Sequence, residues 1–239
     1  MRRIVLALAL SVTGLWAQAV PQPGPLKDFS DLMDKAGQTS ARGDKAGAIK
    51  LLQTALVMSQ KQPALKGHDL DVYRAMGHVY AEAKQYPSAI QSYQTMLGKM
   101  QAGCVPGQPD SERCPDVYYD LGTAQMYASD FAGAVITLRK AIPMYETLIK
   151  RGPAPDYKLA KLKLEANANS MLGAALFRSG NLEGGIAAYQ KAVTQYTNVA
   201  NNPDSGDGLQ MLAKQSLSDA QNALNLLQEE QKKRAAAKK

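Results

Sequence analysis

Cys104 and Cys114 are the two cysteines of the 239-residue chain, and Pro106, Gly107 and Pro109 lie between them. A redox or metal pair favours Cys-x-x-Cys spacing or a neighbouring histidine, and neither stands beside them. In an oxidising compartment such a pair closes a loop as a disulfide, adding about 2–3 kcal/mol by the chain-entropy argument. The histidines are His68 and His78. Asp69 and Asp71 stand close in sequence, but they do not share a helical face with both histidines. His68 is therefore expected in an exposed turn, without metal. Asp204-Ser205-Gly206-Asp207-Gly208 has the composition of a calcium loop but lacks the later bidentate Glu, and reads as a turn. The sequence contains no Gly-rich phosphate loop, no His-Glu-x-x-His and no Gly-x-Ser-x-Gly. No catalytic residue, cofactor or metal site is expected, and the chain reads as a non-enzyme.

The net charge of +7 lies at the two ends. Arg2, Arg3, Lys232, Lys233, Arg234, Lys238 and Lys239 account for all of it, and without them basic and acidic residues balance at 21 each. A body without clustered cations argues against a nucleic-acid partner. The basic tail, 232–239, leaves open a weak contact with anionic lipid or a cell-wall polymer. Arg2-Arg3, an apolar stretch from Ile4 to Trp16 and Ala17-Gln18-Ala19 have the layout of a secretory signal cleaved after Ala19. The expectation is export across the inner membrane, into the periplasm if the cell is Gram-negative.

With 45% hydrophobic residues and 21% charged, the composition is that of a folded globular chain. Few aromatics and recurrent Ala, Leu, Gln and Lys favour helix over sheet. A small residue recurs twelve positions after another small residue at Ala36 and Ala48, Gly77 and Ala89, Gly122 and Ala134, and Gly173 and Gly185. Around this stride other positions match. Tyr73, Met76 and Tyr80 flank the second pair, Tyr118, Leu121 and Gln125 the third, Asn169, Leu172 and Leu176 the fourth. Arg42-Gly43-Asp44, Lys84-Gln85-Tyr86, Ser129-Asp130-Phe131 and Gly180-Asn181-Leu182 read as tight turns between two helices. Two antiparallel helices approach closely only where side chains are small, so each pair is expected at a helix crossing.

This pattern resembles the tetratricopeptide repeat (TPR), in units longer than the compact 34-residue form and closer to the variant of about 42 residues. The resemblance implies an all-α fold, a right-handed superhelical stack of antiparallel helix pairs ending in a capping helix. The expected organisation is a signal at 1–19, a linker at 20–28, four helix pairs at 29–200, a turn at 201–208, a capping helix at 209–231 and the tail. Pro143 is expected to kink or restart the helix it falls in. Members of the family bind extended or helical peptides on the concave face lined by the first helix of each pair. By helical offset that face carries Asp71, Arg74, His78 and Glu82, then Asp116, Tyr119, Thr123, Met126 and Tyr127, then Asn167, Ser170, Phe177 and Arg178. Tyr119, Met126, Tyr127 and Phe177 suggest a protein-contact surface. The partner expected is another protein or a peptide segment.

Overall fold

The computed structural model describes residues 24–100, 103–104 and 111–237. The proposed signal segment lies outside the described residues. Nine α-helices and two short 3-10 turns, with no strand, make up the described part. The first helices of the four pairs are α1 (Gly24–Ala41), α3 (Asp69–Glu82), α5 (Cys114–Tyr127) and α7 (Pro155–Arg178). The second helices are α2 (Lys45–Lys61), α4 (Tyr86–Met100), α6 (Phe131–Arg151) and α8 (Leu182–Asn201), and α9 (Gly206–Ala236) follows. Each helix packs on the next along the chain, as in a TPR-like solenoid.

The twelve-residue stride sets the helix ends. In every unit the first helix stops five residues after its small residue, at Ala41, Glu82, Tyr127 and Arg178. The second begins three residues before its own, at Lys45, Tyr86, Phe131 and Leu182. Between them one residue turns the chain with positive φ, at Gly43, Lys84, Ser129 and Gly180. In three units Asp44, Asp130 or Asn181 then caps the second helix, accepting from the backbone amide of Gly47, Gly133 or Gly184 at 2.7, 2.9 and 2.8 Å. Such a cap is worth about 1 kcal/mol.

The small residues act somewhat differently from the expected crossing of small on small. A Cβ on Gly77 would lie 2.4 Å from the Tyr93 ring, and one on Gly122 or Gly173 would lie 2.7 Å from Leu138 or 2.6 Å from Tyr189. Each glycine is thus the floor beneath the large residue sixteen positions on, in the second helix of its own pair. Ala48, Ala89 and Ala134 are fully buried. Gly185 abuts the Gly173 carbonyl, where a Cβ would stand 3.1 Å from that oxygen.

Several expected boundaries move. Helix α1 starts at Gly24, inside the expected linker, because Pro25 suits a first turn and Leu26 packs against the core. The expected turn at 201–208 narrows to Asn202 and a 3-10 turn at Pro203–Ser205, and Ser205 Oγ donates to the Val199 carbonyl at 2.7 Å. Helix α9 runs past 231 through Lys232, Lys233 and Arg234 to Ala236, with Arg234 paired to Glu230 at 2.7 Å. Pro143 sits within α6, which continues to Arg151 without restarting. Pro143 and Arg139, four residues earlier, are both on the exposed side, where water can serve the carbonyl that loses its amide partner. His68 is half-buried rather than exposed, its ring 5.3 Å from that of Phe29 and its Nδ1 3.5 Å from Asp71.

Gly77→Ala and Gly122→Ala are expected to destabilise the fold by roughly 1–3 kcal/mol each through overpacking. Lys84→Gly and Ser129→Gly relieve left-handed backbone at a turn and should stabilise it by up to about 1 kcal/mol. Urea midpoints at constant slope measure both, and a neutral Gly77→Ala would show that the crossing has room to spare.

Candidate functional site

The first helices touch one another in file, α3 to α5 and α5 to α7, and α9 continues the file against α7. No two second helices among the described residues pack as closely. A stack whose first helices are the closer set curves toward them, so their outward sides form the inner wall. Among the described residues, side chains of the first helices take part in most of the long-range ion pairs.

Between units two and three, Arg74 Nε donates to Asp120 Oδ2 at 3.2 Å, and His78 Nε2 lies 3.4 Å from the same oxygen. The Arg74 guanidinium also stands 3.8 Å from Asp116. The Tyr93 hydroxyl lies 3.3 Å from His78 Nδ1, and the Tyr145 hydroxyl donates to Asp116 at 2.7 Å. Burial raises the Asp120 carboxyl above its usual range, against the opposing pull of His78 and Arg74. Burial likewise raises the phenols of Tyr93 and Tyr145. The cluster holds two helices together, and Arg74 and His78 are engaged within it.

The helix ends make a second set of contacts in one repeated register. The last residue of a first helix meets the first residue of the second helix one unit earlier. Glu82 pairs with Lys45, which also donates to Ser40 at 2.9 Å. Lys45 and Ser40 hold the Glu82 carboxyl below its usual range. Tyr127 stacks on Tyr86 at 5.6 Å and 19°. The Arg178 guanidinium lies 5.4 Å over the Phe131 ring. An ion pair, a ring stack and a cation–π contact thus fill equivalent positions.

The aromatic group singled out in the sequence is therefore spread along the wall. Tyr119 and Met126 are half-buried in one cluster with Leu138 and Ala175, with Thr123 beside Tyr119. Phe177 is half-buried in another, against α8 and α9. Tyr127 is the most open of the four, at 59% exposure.

A cleft of about 290 Å³ opens between α5, α7, α8 and α9, with Tyr119, Lys163, Asn167, Ser170, Tyr196 and Ser216 among its lining. The Tyr196 hydroxyl donates to Asn167 Oδ1 at 2.7 Å. Behind it, Asn169 donates to Gln195 at 2.9 Å, and Lys191 bridges Glu165 at 2.9 Å and Glu146 at 3.0 Å. Sequence reasoning missed Asp120, Lys163 and the Glu165–Lys191–Glu146 bridge. The one available signal was the helical step from Asp116 to Asp120 opposite Arg74 and His78. Cys104 and Cys114 are joined as a disulfide with Cα atoms 5.6 Å apart, and Arg113 beside it pairs with Asp71 of α3. No group of three His, Cys, Asp or Glu placed to hold a metal occurs among the described residues.

No protein-family model matches the chain, and no curated protein matches it. Solved structures do. The yeast histone chaperone Hif1, a scaffold protein recruiting protein complexes to core histones, is 16% identical with a TM-score of 0.63 over 86% of this chain and 96% of that one. The TPR-like repeats of a Podosopora anserina kinesin light chain are 14% identical with a TM-score of 0.59, over 88% and 92%. The MamA protein is 18% identical with a TM-score of 0.53, over 88% and 95%. At these identities the likeness establishes the TPR-like fold.

Arg74→Ala and Asp120→Ala are each expected to cost about 1–2 kcal/mol, with the double variant short of their sum by about 1 kcal/mol. Additive losses in a denaturant double-mutant cycle would mean that the two side chains do not join units two and three.

Proposed function

We propose that the protein is an exported, non-enzymatic TPR-type interaction module, an adaptor or assembly factor of the periplasm or cell envelope, holding a segment of another protein on its inner wall. The TPR-like fold supports a protein-binding scaffold. The observation that carries the reading is Tyr127, an aromatic left 59% exposed at the inner end of α5 while its neighbours on that face are engaged or half-buried. A ring already fixed by stacking on Tyr86 loses little freedom when a partner covers it. Export rests on the charge, apolar length and small-residue site of the first 19 residues, and on the cysteine pair.

A second reading draws on the end of α9, where Lys232, Lys233 and Arg234 are exposed on a helix rather than a loose tail. These cations favour an anionic lipid surface. Removing residues 232–239 should then abolish sedimentation with anionic vesicles, and retention of full binding would end that reading.

The main reading is tested with a photo-crosslinking amino acid placed at Tyr127 or, as control, at Ile136, an exposed apolar residue on α6. In envelope-producing cells the Tyr127 site is expected to yield a discrete protein adduct, and the Ile136 site none. Adducts of equal pattern from both sites, or none from either, would sink it.

A further inference from the structure

The cleft between α5, α7, α8 and α9 holds a cation with no counter-ion. Lys163 is half-buried on α7 and makes no hydrogen bond or ion pair with any described residue. Its neighbours Lys158 and Lys161 are exposed or set over the Tyr157 ring, and Lys191, though exposed, is bridged by two carboxylates. Burial alone acts on the Lys163 ammonium and lowers its proton affinity, with no carboxylate pulling the other way. A cation that has given up water without gaining a partner is a cost to the folded chain.

The rest of the lining is matched to the same task. The Asn167 carbonyl oxygen is taken by the Tyr196 hydroxyl, which leaves the Asn167 amide NH2 to donate. Ser170 adds a hydroxyl, the Ser216 hydroxyl is engaged with Tyr196, and Met171 and Ala174 add apolar floor. No acidic side chain lines the cleft. Asp219 of α9 acts on the Tyr196 hydroxyl but makes no ion pair with Lys163. The cleft therefore presents donors and one positive charge, and lacks an acceptor of full negative charge.

We propose that this cleft binds an acidic side chain, Asp or Glu, from an extended segment of a partner protein, with Lys163 as the ion-pair partner and Asn167 and Ser170 as hydrogen-bond donors. Neither end of the chain supplies that group, since residues 1–23 contain no Asp or Glu and residues 238–239 are lysines. Lys163 stands ten residues before Gly173, on the part of α7 that extends beyond the repeated unit. The proposal rests on the reading of the inner wall as a protein-binding surface, and names the chemistry one part of it selects.

The test is an NMR titration of the full chain, 15N-labelled, with three pentapeptides. The first is Ala-Leu-Glu-Leu-Ala blocked at both ends, the second its Gln counterpart, and the third the Gln sequence with a free terminal carboxylate. The Glu peptide is expected to shift the Asn167 side-chain amide saturably and to bind roughly tenfold more tightly than the blocked Gln peptide. Lys163→Met should reduce the Glu peptide to the level of the Gln peptide, and Lys163→Arg should retain the preference. Lys163→Met removes an uncompensated cation, so its unfolding midpoint should stay or rise, which keeps loss of binding separate from loss of fold. Equal affinity for Glu and Gln peptides, no saturable shift at Asn167, or preference for the free terminus alone would each overturn the proposal. Persistence of the Tyr127 adduct in Lys163→Met alongside any of these would show that the cleft assignment has failed while the inner-wall reading stands.

Discussion

The fold depends on glycine placed beneath a large side chain. Gly77, Gly122 and Gly173 expose bare backbone at the point where Tyr93, Leu138 and Tyr189 come down from the opposite helix. Tyr93 and Leu138 are then almost wholly enclosed, and burying a side chain of that size is worth about 2–3 kcal/mol. A methyl group there would push the helices apart along their whole length, because packed interiors transmit displacement rather than absorb it. The fixed contact also fixes phase. Once the crossing is set, the distance along the chain to the turn is set too, and all four units turn with positive φ at the same place, on glycine twice and on Lys84 and Ser129 where other residues accept the strain.

Constant phase within units lets the contacts between units vary in chemistry. Lys45 with Glu82, Tyr86 with Tyr127, and Phe131 with Arg178 occupy one geometric slot. Within units three and four, Tyr145 on Asp116 and Tyr196 on Asn167 form another repeated slot, each pair 29 residues apart and each bond 2.7 Å long. The geometry selects side chains that reach, and leaves open whether they reach by charge, ring or hydroxyl. Where a unit departs from the repeat, a compensating partner is present. Asn169 stands where an aromatic is usual and is held by Gln195, and Gln125 stands where a tyrosine is usual and donates to the capping Asp130 at 3.1 Å.

Much of this was legible in the sequence because it is local. The twelve-residue stride joins residues on consecutive helices through one short turn, so its spacing survives in the sequence and gives helix ends to within a residue or so. Asp120 with Arg74, Arg113 with Asp71, and Lys191 with Glu146 are 42 to 46 residues apart. A charge carries no mark of which opposite charge it will meet at that distance, and the units differ in length, so counting does not align them. For the same reason the pairing of Arg74 and His78 with Asp120, and of Glu82 with Lys45, left no mark in the spacing. Pro143 does not restart α6 for a different reason: a missing amide breaks a buried helix but is tolerated on a wet surface, and exposure was not readable from the pattern around it.

The irregular lengths separate what builds the stack from what distinguishes it. Insertions between units would loosen a solenoid unless their ends were tied, and each long connection here is tied by a device outside the repeat. The connection between units two and three closes through Cys104–Cys114, and Arg113 fastens its end to Asp71 of the preceding unit. The extra length before unit four is taken up as helix, so α7 reaches 24 residues and adds turns on the wall side of the stack. Those turns carry Lys163, whereas Lys191, on the repeated part of its own unit, finds two carboxylates. Residues inside the repeat are paired by the repetition itself, because neighbouring units supply partners at the same register. Lys163, on the added turns, has no such neighbour, and its side chain is left available for a group from outside the chain.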